Sequence, residues 1–186
     1  MIKINLGCGP DVRPGWISVD FPPTHAGQVH PDVVQWDLSK GVPDSIEPES
    51  VDLAMSSHFL EHLDDKDGRI FLISVLNSLK KGGKLRLCLP DAFRTCKNYV
   101  EGNWDFFNPV SGFIGDHYPE TRTLIDYLTL CVYQAGEHKS VWDAKKAIRV
   151  LENLGFSNVY ESQFDPTIDL NEPIRIMYSI YVEAVK

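Results

Sequence analysis

Apolar and polar positions along the chain fall into short alternating runs separated by longer stretches at helical spacing, the pattern of an α/β protein. Ile2-Lys3-Ile4-Asn5-Leu6 alternates and runs into Gly7-Cys8-Gly9-Pro10. Trp16-Ile17-Ser18-Val19 is a second run that ends on Asp20, and Val33-Val34-Gln35-Trp36 a third that ends on Asp37. Residues 50–57 predict a fourth strand, and Lys84-Leu85-Arg86-Leu87-Cys88-Leu89 a fifth closed by Pro90. Between them, Asp64 or Asp65 can cap a helix carrying Ile70, Leu72, Ile73, Leu76 and Leu79, with Gly82-Gly83 as its stop. Ser140 and Asp143 suggest a capping box for a helix carrying Ala144, Ala147, Ile148, Leu151 and Leu154, ending at Gly155. Residues 156–163 and 174–185 predict the last two strands, the latter with Ile174, Ile176, Tyr178, Ile180 and Val182 on one face at period two. No internal repeat or low-complexity linker divides the 186 residues, so a single domain over 1–186 is expected.

Residues 102–139 follow neither period but hold Trp104, Phe106, Phe107, Phe113, Tyr118, Tyr127 and Tyr133. Such a segment can be a packed excursion beside the sheet. It can also be a cap that supplies a substrate pocket, since rigid aromatic faces suit sugars and other flat, half-apolar ligands. The two readings are compatible.

The order strand, glycine turn, strand, acid is how parallel α/β proteins hold a nucleoside cofactor. Gly7-x-Gly9 alone could be an ordinary tight turn, and its surroundings decide what it is for. A dinucleotide fingerprint needs a third glycine where Val12 stands, and Pro14-Gly15 interrupt the helix that would follow. Asp20 comes 13 residues after Gly7, against the roughly 20 of the dinucleotide pattern. No Gly-Lys-Ser/Thr follows, so a phosphate-cradling loop is excluded as well. The pattern favours a nucleoside ligand that lacks a pyrophosphate. An oxidoreductase using NAD is disfavoured on the same grounds.

Asn5-Leu6-Gly7-Cys8-Gly9, Gly15-Trp16-Ile17-Ser18-Val19-Asp20, Trp36-Asp37-Leu38, Leu60-Glu61-His62-Leu63 and Leu79-Lys80-Lys81-Gly82-Gly83-Lys84-Leu85 resemble, in order, the successive motifs of Rossmann-like, class I S-adenosylmethionine-dependent methyltransferases. They are most similar to the branch that opens with "LGCG…GWxxVD". The resemblance covers residues 1 to about 90 by motif and the rest by general shape. It implies a mainly parallel seven-stranded sheet flanked by helices, with one antiparallel strand near the end of the chain, an aromatic-rich cap insertion over about 102–139, and S-adenosylmethionine as cofactor. Asn5 stands where the wider family often has an acid, and the first helix is shortened to a loop.

The resemblance also gives site residues. The backbone of Gly7, Cys8 and Gly9 would lie against the methionine portion, where any side chain would hold a ligand away. Asp20, with Phe21 beside it, would accept from the ribose hydroxyls unless it is simply a strand-end acid. Asp37 would accept from the adenine amine, with Leu38 as cover, or else cap a turn. Ser57 and His58 follow the fourth strand, where open α/β sheets bind ligands. Arg13 could meet the methionine carboxylate or be a loop arginine.

Composition narrows the partner. The formal charge is −8, and no basic cluster exceeds Lys80-Lys81 or Lys145-Lys146, so a nucleic-acid partner is not expected. No apolar run reaches a membrane span of ~18 residues, and no charged-then-apolar leader opens the chain. Cys8, Cys88, Cys96 and Cys131 form no C-x-x-C pair, as in a reducing compartment, so a cytoplasmic location is expected. Oligomeric state cannot be read. A methyl transfer needs alignment above all, with a base useful for a hydroxyl acceptor. His58, His117 and His138 are the candidate bases, Asp91 a candidate carboxylate on the acceptor side, and His62 a structural residue at a helix start. No spacing of His, Asp and Glu specifies a metal site, and none is expected. The expected function is methyl transfer to a small molecule or to a sugar of a glycan precursor. A cofactor-binding or partner-docking module without turnover is the alternative.

Overall fold

The structure, a computed structural model, describes residues 1–21, 30–112 and 123–186. Its centre is one sheet of seven strands: β1 (Lys3–Leu6), β2 (Ile17–Asp20), β3 (Val33–Gln35), β4 (Val51–Ser57), β5 (Leu79–Pro90), β6 (Ser157–Ser162) and β7 (Ser179–Val185). They lie in the order β3-β2-β1-β4-β5-β7-β6. The first five are parallel to one another, and β7 runs antiparallel to both β5 and β6. Among the described residues, no helix is long and apolar enough to cross a membrane.

Parallel neighbours need a crossover. Between β1 and β2 the chain makes it as a loop over residues 7–16, without a helix, as the sequence indicates. Between β4 and β5 the crossover is a short 3₁₀ turn, Leu60–His62, followed by α1 (Asp65–Ser78), whose first turn is capped by the Asp64 carboxylate on the amides of Lys66 and Asp67. The region between β5 and β6 carries α2 (Ala92–Val100), α3 (Trp104–Phe107), α4 (Leu124–Tyr133) and α5 (Ala144–Asn153). The short α6 (Pro173–Tyr178) stands just before β7.

Four expectations need correction. Residues 174–178 are helix, not strand: Pro173 sits at the first helical turn, where its missing N–H costs nothing, and β7 begins only at Ser179. α1 ends at Ser78, and Gly82-Gly83 lie inside β5, where the Gly83 backbone packs against Val51 and Lys80 too closely for a side chain. Its buried face is Phe71, Leu72 and Val75, while Ile70 and Ile73 are exposed. Finally, α5 is capped by Asp143 alone, because the Ser140 hydroxyl is taken up by Trp142 Nε1 at 2.8 Å.

Two apolar clusters hold the molecule. The main one joins one face of the sheet to α1 and α5 through Ile4, Leu6, Val19, Leu85, Leu87, Phe71, Val75 and Leu151. The second gathers Phe106, Phe107, Val110 and Tyr127 against Tyr178. The aromatic segment is therefore a small core of its own. Trp104 and Tyr133 stay largely exposed, and Phe113 and Tyr118 lie outside the described residues.

One charged residue is built into the middle of β5. Arg86 is 1% exposed and donates to Asp169 through Nε at 3.0 Å and through Nη2, to Glu183 at 2.8 Å, to Ser162 at 2.9 Å and to the Gln163 carbonyl at 2.6 Å. It thereby ties the loop around Asp169 to the antiparallel edge. Arg86→Met should cost about 3–5 kcal/mol in urea unfolding, because it leaves the Asp169 carboxylate buried and unpaired. A loss below about 1 kcal/mol would show that the loop reorganises freely around the missing charge.

Candidate functional site

The chain leaves β1 in a turn fastened to β2. The amides of Gly7 and Cys8 both donate to the Val19 carbonyl, at 2.9 and 3.2 Å. Gly7 and Gly9 hold φ of +71° and +51°, the left-handed region that favours glycine. The two glycines differ in what surrounds them. A Cβ on Gly7 would stand 2.3 Å from Phe59 Cγ, whereas one on Gly9 would meet no atom within 4 Å. Gly7 is thus a packing glycine, and Gly9 exposes bare backbone to open space. The Gly9 amide donates to Asp20 Oδ2 at 2.5 Å, and Asp20 Oδ1 accepts from the Phe21 amide at 2.7 Å.

This turn borders a cavity of about 300 Å³, lined by Gly9, Asp20, Phe21, His58, His62 and Arg175 among others. A second concavity of about 310 Å³ lies beyond Phe21, between Gln35, Trp36, Asp37 and Lys40. Phe21 is 59% exposed and borders both, a flat apolar face between two carboxylates. Asp37 caps the 3₁₀ turn Leu38–Lys40 by accepting from Ser39 N and Oγ, and the latter contact holds its carboxyl below the usual range. Leu38 is buried in the core, so only its backbone is available to a ligand. Cys8 is buried, and burial with the nearby Asp20 charge pushes its thiol up to about 12, so it remains protonated. Arg13 is committed elsewhere: it pairs with Asp11, donates to the Ile168 carbonyl and lies over the Trp16 ring.

At the end of β4, Ser57 Oγ accepts from Arg175 Nη1 at 3.1 Å, and Arg175 Nε also donates to Glu172 at 3.0 Å. His58 takes φ of +50°, a strained backbone for a histidine and of the kind that collects at functional sites. Its Nε2 lies 2.7 Å from Ser179 Oγ, and its Nδ1 faces Glu61 Oε1 at 3.7 Å. Burial, followed by the Arg175 charge, pushes the His58 imidazole down to about 3. Burial likewise pushes the Glu61 carboxyl up to about 8. His58 is therefore neutral at pH 7, and burial favours the protonated acid on Glu61.

His58 also lines a third cavity, of about 240 Å³, between the ends of β5 and β7 and the aromatic segment. Thr95, Leu130, Ile174, Tyr178 and His138 are among its other lining residues. His138 stacks edge to face on His62 at 5.0 Å, and burial lowers its basicity too. Asp91 is placed otherwise: it caps α2 through Arg94 N at 2.9 Å and pairs with the Arg94 guanidinium, so its carboxylate is turned into the helix. His117 lies outside the described residues. The structure thus brings Gly7, Cys8, Gly9, Asp20, Phe21, Ser57 and His58 to one cavity, sets Asp37 in the next, and leaves Asp91 apart.

Sequence reasoning missed Glu61, Glu172 and Arg175. Arg175 was hidden because its segment reads as a strand. Glu61 carried a signal, since it falls in the Leu60-Glu61-His62-Leu63 motif, but its burial could not be read from one sequence.

No protein-family model matches the chain, and no curated protein matches it by sequence. Solved structures match it well by shape. A SAM-dependent methyltransferase from Archaeoglobus fulgidus superposes with a TM-score of 0.60 at 17% identity over 99% of this chain and 85% of that one. A S-adenosylmethionine-dependent methyltransferase from Mesorhizobium loti gives 0.55 at 17% identity, over 100% and 90% of the two chains. Human N-acetylserotonin methyltransferase, solved with SAM, gives 0.55 at 13% identity; this chain covers 47% of it. The fold is the Rossmann-like methyltransferase fold, a seven-stranded, mostly parallel open sheet flanked by helices.

The contrast between the two glycines is testable by denaturant unfolding. Gly7→Ala should lose about 2–4 kcal/mol, from left-handed strain together with the Phe59 clash. Gly9→Ala should lose only about 1–2 kcal/mol, from strain alone. Equal losses would mean that Phe59 moves aside without cost.

Proposed function

We propose that the chain transfers a methyl group from S-adenosylmethionine to a small acceptor. The observation that carries this is the bare Gly9 backbone held against the Asp20 carboxylate at the end of β1, where the sheet leaves an open crevice. The residues present fit the cofactor. Space stands where a Gly9 side chain would be, a carboxylate ends β2, an exposed aromatic face follows, and a second carboxylate lies beyond it. Asp20 would hold the ribose hydroxyls, Phe21 the adenine face and Asp37 the adenine amine. Among the described residues Arg175 lines the cavity and would meet the methionine carboxylate, while Arg13 is bound to Asp11, and Glu172 beside Arg175 suits the amine.

When bound, the cofactor supplies an electrophilic methyl carbon on a positively charged sulfur. The protein's part is alignment. A histidine with its pKa near 3 is a poor proton acceptor, so His58 serves better as a neutral hydrogen-bonding wall between the two cavities than as a general base. His138 is shifted in the same direction. Rate acceleration then comes from holding the acceptor in line with the methyl carbon in a site shielded from water.

The acceptor would occupy the 240 Å³ cavity, where Thr95, Gln134 and His58 stand among Val110, Leu130 and Ile174. That lining suits a compact molecule with one apolar face and a few hydroxyls, and a sugar ring of a glycan precursor is a member of that class. The four cysteines are free, which favours a cytoplasmic location.

Calorimetry with S-adenosylhomocysteine tests the reading. The wild-type protein should bind in the micromolar range, about −8 kcal/mol. Asp20→Asn should bind about 1.5–3 kcal/mol more weakly, through loss of charge-assisted ribose hydrogen bonds. No binding by the wild type defeats the proposal, and unchanged binding by the variant removes Asp20 from the ribose site.

A further inference from the structure

Glu61 is 1% exposed, and neither oxygen of its carboxyl group has a hydrogen-bond partner among the described residues. A carboxyl buried in this way is disfavoured unless something binds it. Two histidines converge on it. One ligand atom from each of Glu61, His62 and His138 lies within 4.8 Å of the other two. His138 Nε2 is itself a buried atom with no partner among the described residues. Each histidine presents Nδ1 to a backbone carbonyl, His62 to Glu137 at 3.1 Å and His138 to Val132 at 3.2 Å. Contacts of that kind fix the ring orientation and tautomer of a metal-ligating imidazole. The two segments are braced as a unit, because the amides of Lys139 and Ser140 donate to the Glu61 carbonyl at 2.8 and 3.0 Å.

We propose that Glu61, His62 and His138 bind one divalent cation of intermediate softness, with zinc as the reference case. Two imidazoles and one carboxylate match such a cation and leave coordination positions open, whereas magnesium would call for an all-oxygen set. The position gives the open sites a use. His62 lines the cavity at the glycine turn, and His138 and His58 line the acceptor cavity, so the cation stands where the two meet. Resting on the methyl-transfer reading, an open position takes the acceptor's hydroxyl oxygen. The hydroxyl proton passes to water, the oxygen forms a bond to the methyl carbon, and the carbon–sulfur bond breaks with its electron pair going to sulfur. A bound cation lowers the pKa of a coordinated oxygen, so the acceptor's hydroxyl would be activated by the cation itself.

The test uses the full chain, stripped by a chelator and titrated separately with Zn²⁺, Co²⁺ and Mg²⁺. One equivalent of Zn²⁺ should bind at least 100-fold more tightly than Mg²⁺, and Co²⁺ should develop visible d–d bands with paramagnetically shifted imidazole N–H signals. His138→Ala and Glu61→Gln should each weaken Zn²⁺ binding at least tenfold. The Co²⁺ spectra of the unmutated protein decide the matter if either variant fails to fold. Absence of uptake, a Co²⁺ complex without imidazole signals, a preference for Mg²⁺, or equal affinity in folded variants overturns the site. S-adenosylhomocysteine binding to the stripped protein is read separately, so failure of the metal site is distinguishable from failure of the cofactor reading.

Discussion

The arrangement of this molecule depends on the reversal of strand order between the parallel neighbours β1 and β4. These strands are neighbours, yet the chain reaches β2 on one side of β1 and β5 on the far side of β4. Connections that part in this way leave the carboxyl ends of both strands uncovered, and the crevice between them is the one place in such a sheet where a ligand can reach strand-end backbone. What fills the crevice wall is decided by hydrogen bonds that the reversal leaves exposed. The Val19 carbonyl gathers the amides of Gly7 and Cys8, Asp20 gathers that of Gly9, and the Cys88 carbonyl takes the amide of His58. Each bond fixes a residue of the site by fixing its backbone, and so the geometry is set before any ligand arrives.

The far side of the crevice is built differently. α6 and β7 return the chain to the carboxyl end of β5, bringing Arg175 and Ser179 to Ser57 and His58. The second aromatic core then packs on Tyr178, the last residue of α6. A residue at that junction has two duties, since Tyr178 both anchors the aromatic cluster and lines the 240 Å³ cavity. Among the described residues the segment is thus a packed excursion that also borders a cavity. Its inner wall is the outer face of a small core, which gives the 240 Å³ cavity rigid sides in a segment that lacks regular periodicity.

What the sequence made legible follows from range. Gly9, Asp20 and the loop crossover are written in contiguous residues, because a turn with positive φ and a strand ending on an acid are local events. The sheet order followed from the resemblance, and not from periodicity. The segment 174–178 misled because a short apolar run is compatible with either period, and the helix-start signal of Pro173 was outweighed by Ile174, Ile176 and Tyr178 two apart. The buried face of α1 was displaced by one position because Ile70 and Ile73 are as apolar as their buried neighbours, and the decision belongs to the sheet beneath. The meeting of Glu61 with His138 was invisible for a third reason. It depends on two amides, Lys139 and Ser140, finding the Glu61 carbonyl across a long stretch of chain, and backbone pairing of that kind leaves no mark on residue type.

Glu61 shows how burial and function are linked in this crevice. In the main core a carboxyl group would have been replaced by a leucine at no cost to packing, as Leu60 beside it demonstrates with its complete burial. Arg86 offers the contrasting solution, a buried charge answered on every side by Asp169, Glu183, Ser162 and a carbonyl. Glu61 is as deeply buried as Arg86, yet its carboxyl oxygens accept no hydrogen bond within the described residues, and the nearest basic group, His58 Nδ1, stands 3.7 Å away. A buried ionisable group on β5 that is saturated and one in the 3₁₀ turn after β4 whose oxygens lack hydrogen bonds among the described residues are not equivalent: the first ties elements together, and the second calls for an explanation of its own. That position lies beside His58, whose ring borders both the cavity at the glycine turn and the one beside the aromatic segment, so the polar group without a hydrogen bond stands next to the wall that the two cavities share.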